Sequence, residues 1–402
     1  MDIDLDIPNK NSKESFHNKL KEFSNNLTLL EKGLSDIKSK YKKIALYGYG
    51  ITSKLIAPYL EDQLVIIADK NSTNIKSSYK LCDPKDLTNY DFDCIVITLL
   101  GIEEKVINYL LKLDVLDSKI ITLVETLLDS EQLFNNKTGS ELEAGICTQE
   151  QLESKTYQMW INYFKENSKE KHRKLWEYAF IAESLKNREM LQKEKKGLGF
   201  AVGTEPLPSA FCSYGTQILA TDLDIQEAKN SGWVDTNQHA NNLPVLNKRK
   251  ICNNKQFSEL CTFQNLNMNE IPDSLKDFDF IWSSCALEHL GTIKLGEEFI
   301  YNSLKCLKPG GIAVHTTEYN FSSNNDTVSE GPVVLFRKKD IERIVDNLEK
   351  DGHEVVDINY NSGKLPLDKY IDFPPYNKQK HLKLYHNSYI ITSIGLIIRK
   401  KS

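Results

Sequence analysis

The apolar positions of the chain change period as it proceeds. Phe16, Leu20, Phe23, Leu27, Leu30, Leu34 and Ile37 recur at spacings of 4, 3, 4, 3, 4 and 3. That is a heptad seam, and it predicts an amphipathic helix over residues 1–40, with Lys, Glu, Asn and Ser between the apolar positions. Two coverings suit such a stripe: a partner helix, giving a homodimer, or the chain's own following domain. From Tyr41 the pattern becomes short continuous apolar runs at Lys43–Tyr47, Leu64–Ala68, Cys94–Leu100 and Lys119–Leu123. Helical stretches at about Thr52–Leu60 and Ile102–Leu113 separate them. Strands apolar on both faces, alternating with helices, predict a small parallel Rossmann-like sheet over residues 41–128.

Residues 129–150 are polar and read as a linker. Thr148 to Lys195 is helical and rich in aromatics, with Tyr157, Trp160, Tyr163, Phe164, Trp176, Tyr178 and Phe180. A second βα series starts at Gly197, with strands at Leu198–Val202, Ile218–Thr221, Phe278–Trp282 and Ile312–His315. A strand pair, Tyr389–Thr392 and Gly395–Arg399, follows near the end. The expected fold class is α/β: two Rossmann-like domains in tandem, the second over residues 151–402 with a helical N-terminal extension.

Composition narrows the function classes. The chain has 402 residues, 40% hydrophobic and 27% charged, with a formal net charge of -5 and no basic block. A phosphate-tracking surface is not expected, so nucleic acid is not a predicted partner. None of the eight cysteines forms a C-x-x-C pair, which favours buried reduced thiols over zinc or dithiol chemistry. No apolar segment resembles a secretory leader or approaches the roughly 20 residues of a membrane span. The expectation is a cytoplasmic protein.

The motif richest in chemistry is Gly197-Leu198-Gly199-Phe200-Ala201-Val202-Gly203-Thr204-Glu205-Pro206-Leu207-Pro208-Ser209. A strand runs into a glycine-bearing turn that opens a helix. Gly199 and Gly203 let a ligand approach the backbone, and the prolines suit a first helical turn. The next strand ends at Thr221-Asp222-Leu223-Asp224, where an acid can accept hydrogen bonds from ribose hydroxyls. Further on stand Asn265-Leu266-Asn267-Met268-Asn269, then Phe278-Asp279-Phe280-Ile281-Trp282-Ser283-Ser284-Cys285-Ala286-Leu287-Glu288-His289-Leu290-Gly291, then Leu307-Lys308-Pro309-Gly310-Gly311 before Ile312–His315.

In these residues, their order and their spacing, the stretch from about 150 to 402 resembles the class I S-adenosylmethionine (SAM)-dependent methyltransferases. It is nearest a subgroup with a VGxEPLP loop and LEHLG and LKPGG motifs. The ending Thr392-Ser393-Ile394-Gly395-Leu396-Ile397-Ile398-Arg399-Lys400 looks like the superfamily's closing antiparallel hairpin. Ala201 departs from it, standing where many members carry the middle glycine of G-x-G-x-G. The resemblance implies SAM as cofactor. Gly199, Gly203 and Glu205 would line its methionine end with Thr204, and Asp222 would hold the ribose beside Leu223. Asn267 and Met268 would border the adenine, and Ser283 completes the expected set.

On the acceptor side, Glu288 and His289 follow the fourth strand, and His315 to Asn320, including Glu318, follow the fifth. Ligands of open α/β sheets bind outside the carboxyl ends of the strands. Histidine has the pKa to take a proton from an acceptor near neutrality. His289, Glu288, His315 and Glu318 are therefore the candidate catalytic residues, with helix capping as the alternative for Glu288-His289. Some superfamily members with E-x-x-E-H use a metal; Cys285 stands where their first Glu would be, and no metal is assigned. His381 and His386 read as a surface pair. In the first domain, Gly48-Tyr49-Gly50-Ile51-Thr52-Ser53 with Asp69 resembles the small Rossmann-like domains of sugar-modifying enzymes in surface-polysaccharide pathways. Nucleotide-sugar binding and a structural role both fit it. The expected function is methyl transfer, to oxygen, on a sugar or sugar-linked small molecule. The alternatives are another small metabolite or a protein as acceptor, and a silent nucleotide-binding scaffold.

Overall fold

In the computed structural model, residues 30–31, 33–60, 62–99, 102–123, 142–224, 240, 242–376 and 380–402 are described. The chain divides into two compact units. One comprises residues 1–128 with 369–373 and 385–389; the other comprises 129–368 with 374–384 and 390–402.

The first unit begins with helix α1, residues 33–40. It continues through β1 (Ile44–Tyr47), α2 (Ile51–Leu60), β2 (Leu64–Ala68), β3 (Leu81–Cys82), β4 (Cys94–Ile97), α3 (Glu103–Lys112) and β5 (Ile120–Thr122). The strands form a parallel sheet in the order β3-β2-β1-β4-β5. All four residues of β1 are buried, because alternate side chains enter different cores. Ala45 and Tyr47 pack with Val106, Ile107 and Leu110 of α3. Ile44 and Leu46 pack with Ile56, Ala57 and Leu60 of α2 and with Leu34 and Ile37 of α1. The sequence did not reveal β3, which is only two residues long.

Leu30, Leu34 and Ile37 of the heptad seam therefore lie against their own sheet. Phe16, Leu20, Phe23 and Leu27 fall outside the described residues. A version starting at Ser39 should unfold at a lower temperature. Leu34 and Ile37 are at most 5% exposed, and each contributes about 1.5–3 kcal/mol of burial. Light scattering on the same two proteins reads the homodimer expectation: equal masses remove this helix from any interface between copies.

The rest of the chain carries, in order, β6 (Gly145–Ile146), α4 (Gln149–Glu153), α5 (Lys155–Tyr163), β7 (Lys171–His172), α6 (Arg173–Lys186), β8 (Lys196–Phe200), α7 (Leu207–Ser213), β9 (Gln217–Asp222), α8 (Asn254–Leu260), β10 (Cys261–Asn265), β11 (Phe278–Ser284), α9 (Ile293–Leu304), β12 (Leu307–Asn320), α10 (Lys338–Lys350), β13 (Glu354–Val355), β14 (Ile371–Asp372), β15 (Lys380–His381), β16 (Lys383–His386) and β17 (Tyr389–Arg399). In the second unit the strands run β10-β9-β8-β11-β12-β17. All these pairs are parallel except β12 with β17. Of the expected linker, residues 142–150 are described. Gly145 and Ile146 pair with β17, and Thr148 caps α4.

Two expectations are corrected here. The fifth strand does not stop at His315 but runs on to Asn320, paired with β17 from Ile312 to Asn320. The predicted strand pair after Tyr389 is one continuous strand. Gly395 does not break it: it sits opposite Thr316, and a Cβ there would lie 2.3 Å from the Phe180 ring of α6. The glycine is a packing requirement, which a hydropathy pattern reads as a turn. Phe180 in turn stacks on Trp176 with ring centroids 5.0 Å apart.

Candidate functional site

The glycine turn after β8 closes on the tip of β9. Ala201 and Gly203 both have positive φ, 48° and 50°, so the chain turns through a backbone shape that L side chains resist. Ala201→Gly is expected to raise unfolding stability by about 1 kcal/mol, read by denaturant titration. Gly199 has a different reason to be glycine: its Cβ would lie 2.4 Å from the Trp282 ring of β11. The Thr221 hydroxyl donates to Gly199 O at 2.8 Å, and Val202 N donates to Thr221 O at 3.0 Å.

Asp222 ties this corner together. Its carboxylate accepts from Gly203 N at 3.1 Å, Ala240 N at 2.9 Å and Leu223 N at 2.9 Å. Leu266 N donates to Asp222 O at 2.8 Å, which brings Asn267 and Met268 after β10 beside the same tip. Met268 is buried, and Asn267 accepts from Asn269 N. Glu205 turns inward, accepting from Trp282 Nε1 at 2.7 Å; its burial pushes its pKa well above the usual carboxylate range. Thr204 O accepts from Arg249, whose Nε pairs with Glu166 at 2.6 Å. Gly199, Gly203, Thr204, Glu205, Asp222, Leu223, Asn267 and Met268 are thus gathered around the tips of β8, β9 and β10.

Ser283 lies beside Phe200 at the start of that turn, and His315 lies on its other side in β12. They face each other from paired strands, Ser283 Oγ 2.8 Å from His315 Nδ1, and both are fully buried. Phe299 packs edge-on against the imidazole. Burial lowers the His315 pKa to about 3. The expectation of His315 as a cleft base is corrected: it lies mid-strand as a neutral core histidine. Its folded pKa lies below its free value of 6.5, so the unfolded chain binds the extra proton between those two values. The stabilisation is complete above about pH 6.5 and is lost as pH falls towards about 3. The unfolding free energy of wild type relative to His315→Gln should accordingly fall below pH 6.5, by at most about 1.4 kcal/mol per pH unit.

The tips of β11 and β12 meet α6 in a buried charge network. Glu177 accepts from Ser393 Oγ at 2.5 Å, Ser284 Oγ at 3.0 Å, Cys285 Sγ at 3.1 Å and Thr316 Oγ1 at 3.3 Å. Arg173 pairs with Glu318 at 2.5 Å and Glu177 at 3.4 Å, and Lys174 reaches Glu177 at 3.6 Å. Cys285 takes a positive φ of 43° as the chain leaves β11. Glu288 is wholly buried and accepts from Thr317 Oγ1 at 3.0 Å; burial raises its pKa, opposed by His289 and assisted by Glu318. His289 lies nearer the surface, its Nε2 3.8 Å from Glu288 Oε1 and its Nδ1 2.9 Å from Pro332 O. A carbonyl only accepts, so Nδ1 carries a hydrogen.

Sequence reasoning missed Arg173, Lys174, Glu177, Arg249 and Trp282. Arg173 and Glu177 stand four apart on a helix, the spacing of an ordinary solvated pair. The available signal was their setting in a helix otherwise apolar and aromatic. His381 is also corrected: it is buried and lies 4.6 Å from the His172 ring, not on the surface. In the first unit, Asp69 accepts from Tyr49 N and Asn71 N, both at 2.8 Å. Ser53 Oγ donates to Gly48 O and lies 2.9 Å from Thr98 Oγ1. Those groups hold the glycine turn in shape.

Residues 40–121 match the family described as C2185-like, N-terminal. No curated protein matches the chain. Among solved structures, a SAM-dependent methyltransferase from Clostridium acetobutylicum aligns at 12% identity over 56% of this chain and 91% of its own, with a TM-score of 0.32. The CcbJ methyltransferase from Streptomyces caelestis aligns at 10% identity over 55% and 88%, TM-score 0.32. A TehB-like SAM-dependent methyltransferase from Corynebacterium glutamicum aligns at 14% identity over 61% and 95%, TM-score 0.31. Among the described residues, no helix is long and apolar enough to cross a membrane.

Proposed function

We propose that residues 151–402 bind SAM and transfer its methyl group to an oxygen of a sugar or sugar-linked small molecule. The observation that carries the reading is Asp222 at the β9 tip. Its carboxylate shapes the Gly203 turn, and the Asn267-Met268 segment lies alongside. Gly203 and Thr204 would meet the methionine portion, Asp222 and Leu223 the ribose, and Asn267 and Met268 the adenine. The ordered motifs from Gly199 through Leu307-Lys308-Pro309-Gly310-Gly311 support the same cofactor. The sugar part draws on the resemblance of the first domain to those of sugar-modifying enzymes.

Histidine 289 is the proposed base. SAM held at the Asp222 corner would supply the methyl group, and His289 would take the O–H proton of the acceptor oxygen as that oxygen is methylated. Glu288, 3.8 Å away, would steady the imidazolium that forms.

Calorimetry on the full chain tests the cofactor. SAM and its demethylated product should both bind, and Asp222→Ala should weaken each by about 1.5–3 kcal/mol. No heat from either ligand at millimolar concentration would overturn the assignment.

A further inference from the structure

We infer a divalent-cation site formed by Cys285, Glu288 and Glu318 at the inner ends of β11 and β12. It rests on donor placement and does not depend on the methyl-transfer reading. One donor atom from each of the three side chains lies within 4.8 Å of the other two, and all three residues are buried. Two of the groups are incomplete. Glu318 Oε2 is buried without a hydrogen-bond partner, and Glu288 Oε1 makes no hydrogen bond and has only His289 Nε2 at 3.8 Å; the other oxygen of each is bound, to Arg173 and Thr317 respectively. Two such oxygens beside a thiol suit a cation or a shared proton between them.

Formal charge favours the cation. Glu177, Glu288 and Glu318 face Arg173 and Lys174, which leaves one negative charge in excess. Without an ion, burial and the neighbouring carboxylates keep Cys285 a thiol that donates to Glu177; binding would release that proton to solvent, bringing the excess to two, which a divalent ion cancels. Arg173 does not block the site: it holds only one oxygen of Glu318, and its Nη1 lies 3.9 Å from Cys285 Sγ as an outer donor. Such donors orient the groups that bind a metal. One sulfur and two carboxylate oxygens suit zinc or cobalt, whereas magnesium and calcium take oxygen alone. His289 stands outside the trio, with its Nε2 turned towards Glu288.

The test uses the full chain, stripped with chelator and titrated with Co²⁺. One ion per chain should bind, with the sulfur-to-cobalt charge-transfer absorption of a thiolate ligand, and thermal unfolding should move upward. Excess Zn²⁺ should remove the absorption. Cys285→Ser should abolish the band, and Glu318→Gln should weaken affinity more than the about 10- to 100-fold typical of losing an outer partner. Failure of the wild-type chain to bind stoichiometric Co²⁺ overturns the site without reference to any variant. A charge-transfer band that survives in Cys285→Ser overturns it equally, by placing the ion on another cysteine.

Discussion

Replacing His289 with alanine is expected to lower turnover by about 10²–10⁴-fold while SAM affinity stays near wild type. The asymmetry follows from position. In the proposed mechanism His289, after β11, takes the acceptor's proton and has no part in holding SAM, so its loss would remove a proton acceptor and spare the proposed cofactor contacts. His315→Gln is the control: that ring is sealed between Ser283 and Phe299, so its loss should leave turnover near wild type. Wild-type turnover in His289→Ala would mean that the acceptor gives its proton directly to water.

Glu177→Ala should cost about 3–5 kcal/mol of unfolding free energy, the penalty of breaking a buried ion pair from one side. Glu177 is fully buried and joins α6 to the ends of β11, β12 and β17. Removal takes the acceptor from the Ser284, Ser393 and Thr316 hydroxyls and leaves Arg173 with Glu318 as its one paired carboxylate among the described residues. Glu177→Gln should cost less, because an amide oxygen still accepts. Denaturant midpoints of the three proteins check the order. Equal losses for Ala and Gln would show that charge rather than hydrogen bonding dominates.

The parallel strands could be read from sequence because burial on both faces demands apolar residues at every position, as in Ile44–Tyr47 and Cys94–Ile97. The glycine turn could be read because turns and caps are local, Gly203 and Pro206 acting within a few residues of where they stand, whereas Asp222 binds Gly203 N and Ala240 N across 19 and 18 positions. What escaped was set by distant contacts. Gly395 looks like a break until Phe180 lies against it. Arg173 and Glu177 look like a solvated pair until strands more than 100 residues later close over them. His315 looks like a base because a single residue, Thr316, hides whether a strand has ended. The spacing of Cys285, Glu288 and His289 brings a metal to mind and Cys285 argues against it; what the sequence could not show is Glu318, which only the sheet order brings beside the other two.

β17 has a consequence for synthesis. It pairs with β12 over nine residues and brings Ser393 onto Arg173 and Glu177. Ser393 is 220 residues beyond Arg173 along the chain. Until the ribosome has made residues 389–399, β12 presents an unpaired backbone edge from Ile312 to Asn320 and the charge network lacks a member. A nascent chain can complete the turn at Gly203 early, but the Arg173–Glu177 network must wait. A cell that halts translation before residue 389 would hold a polypeptide with an exposed strand edge and an incomplete buried charge network, a natural client for chaperones and proteases.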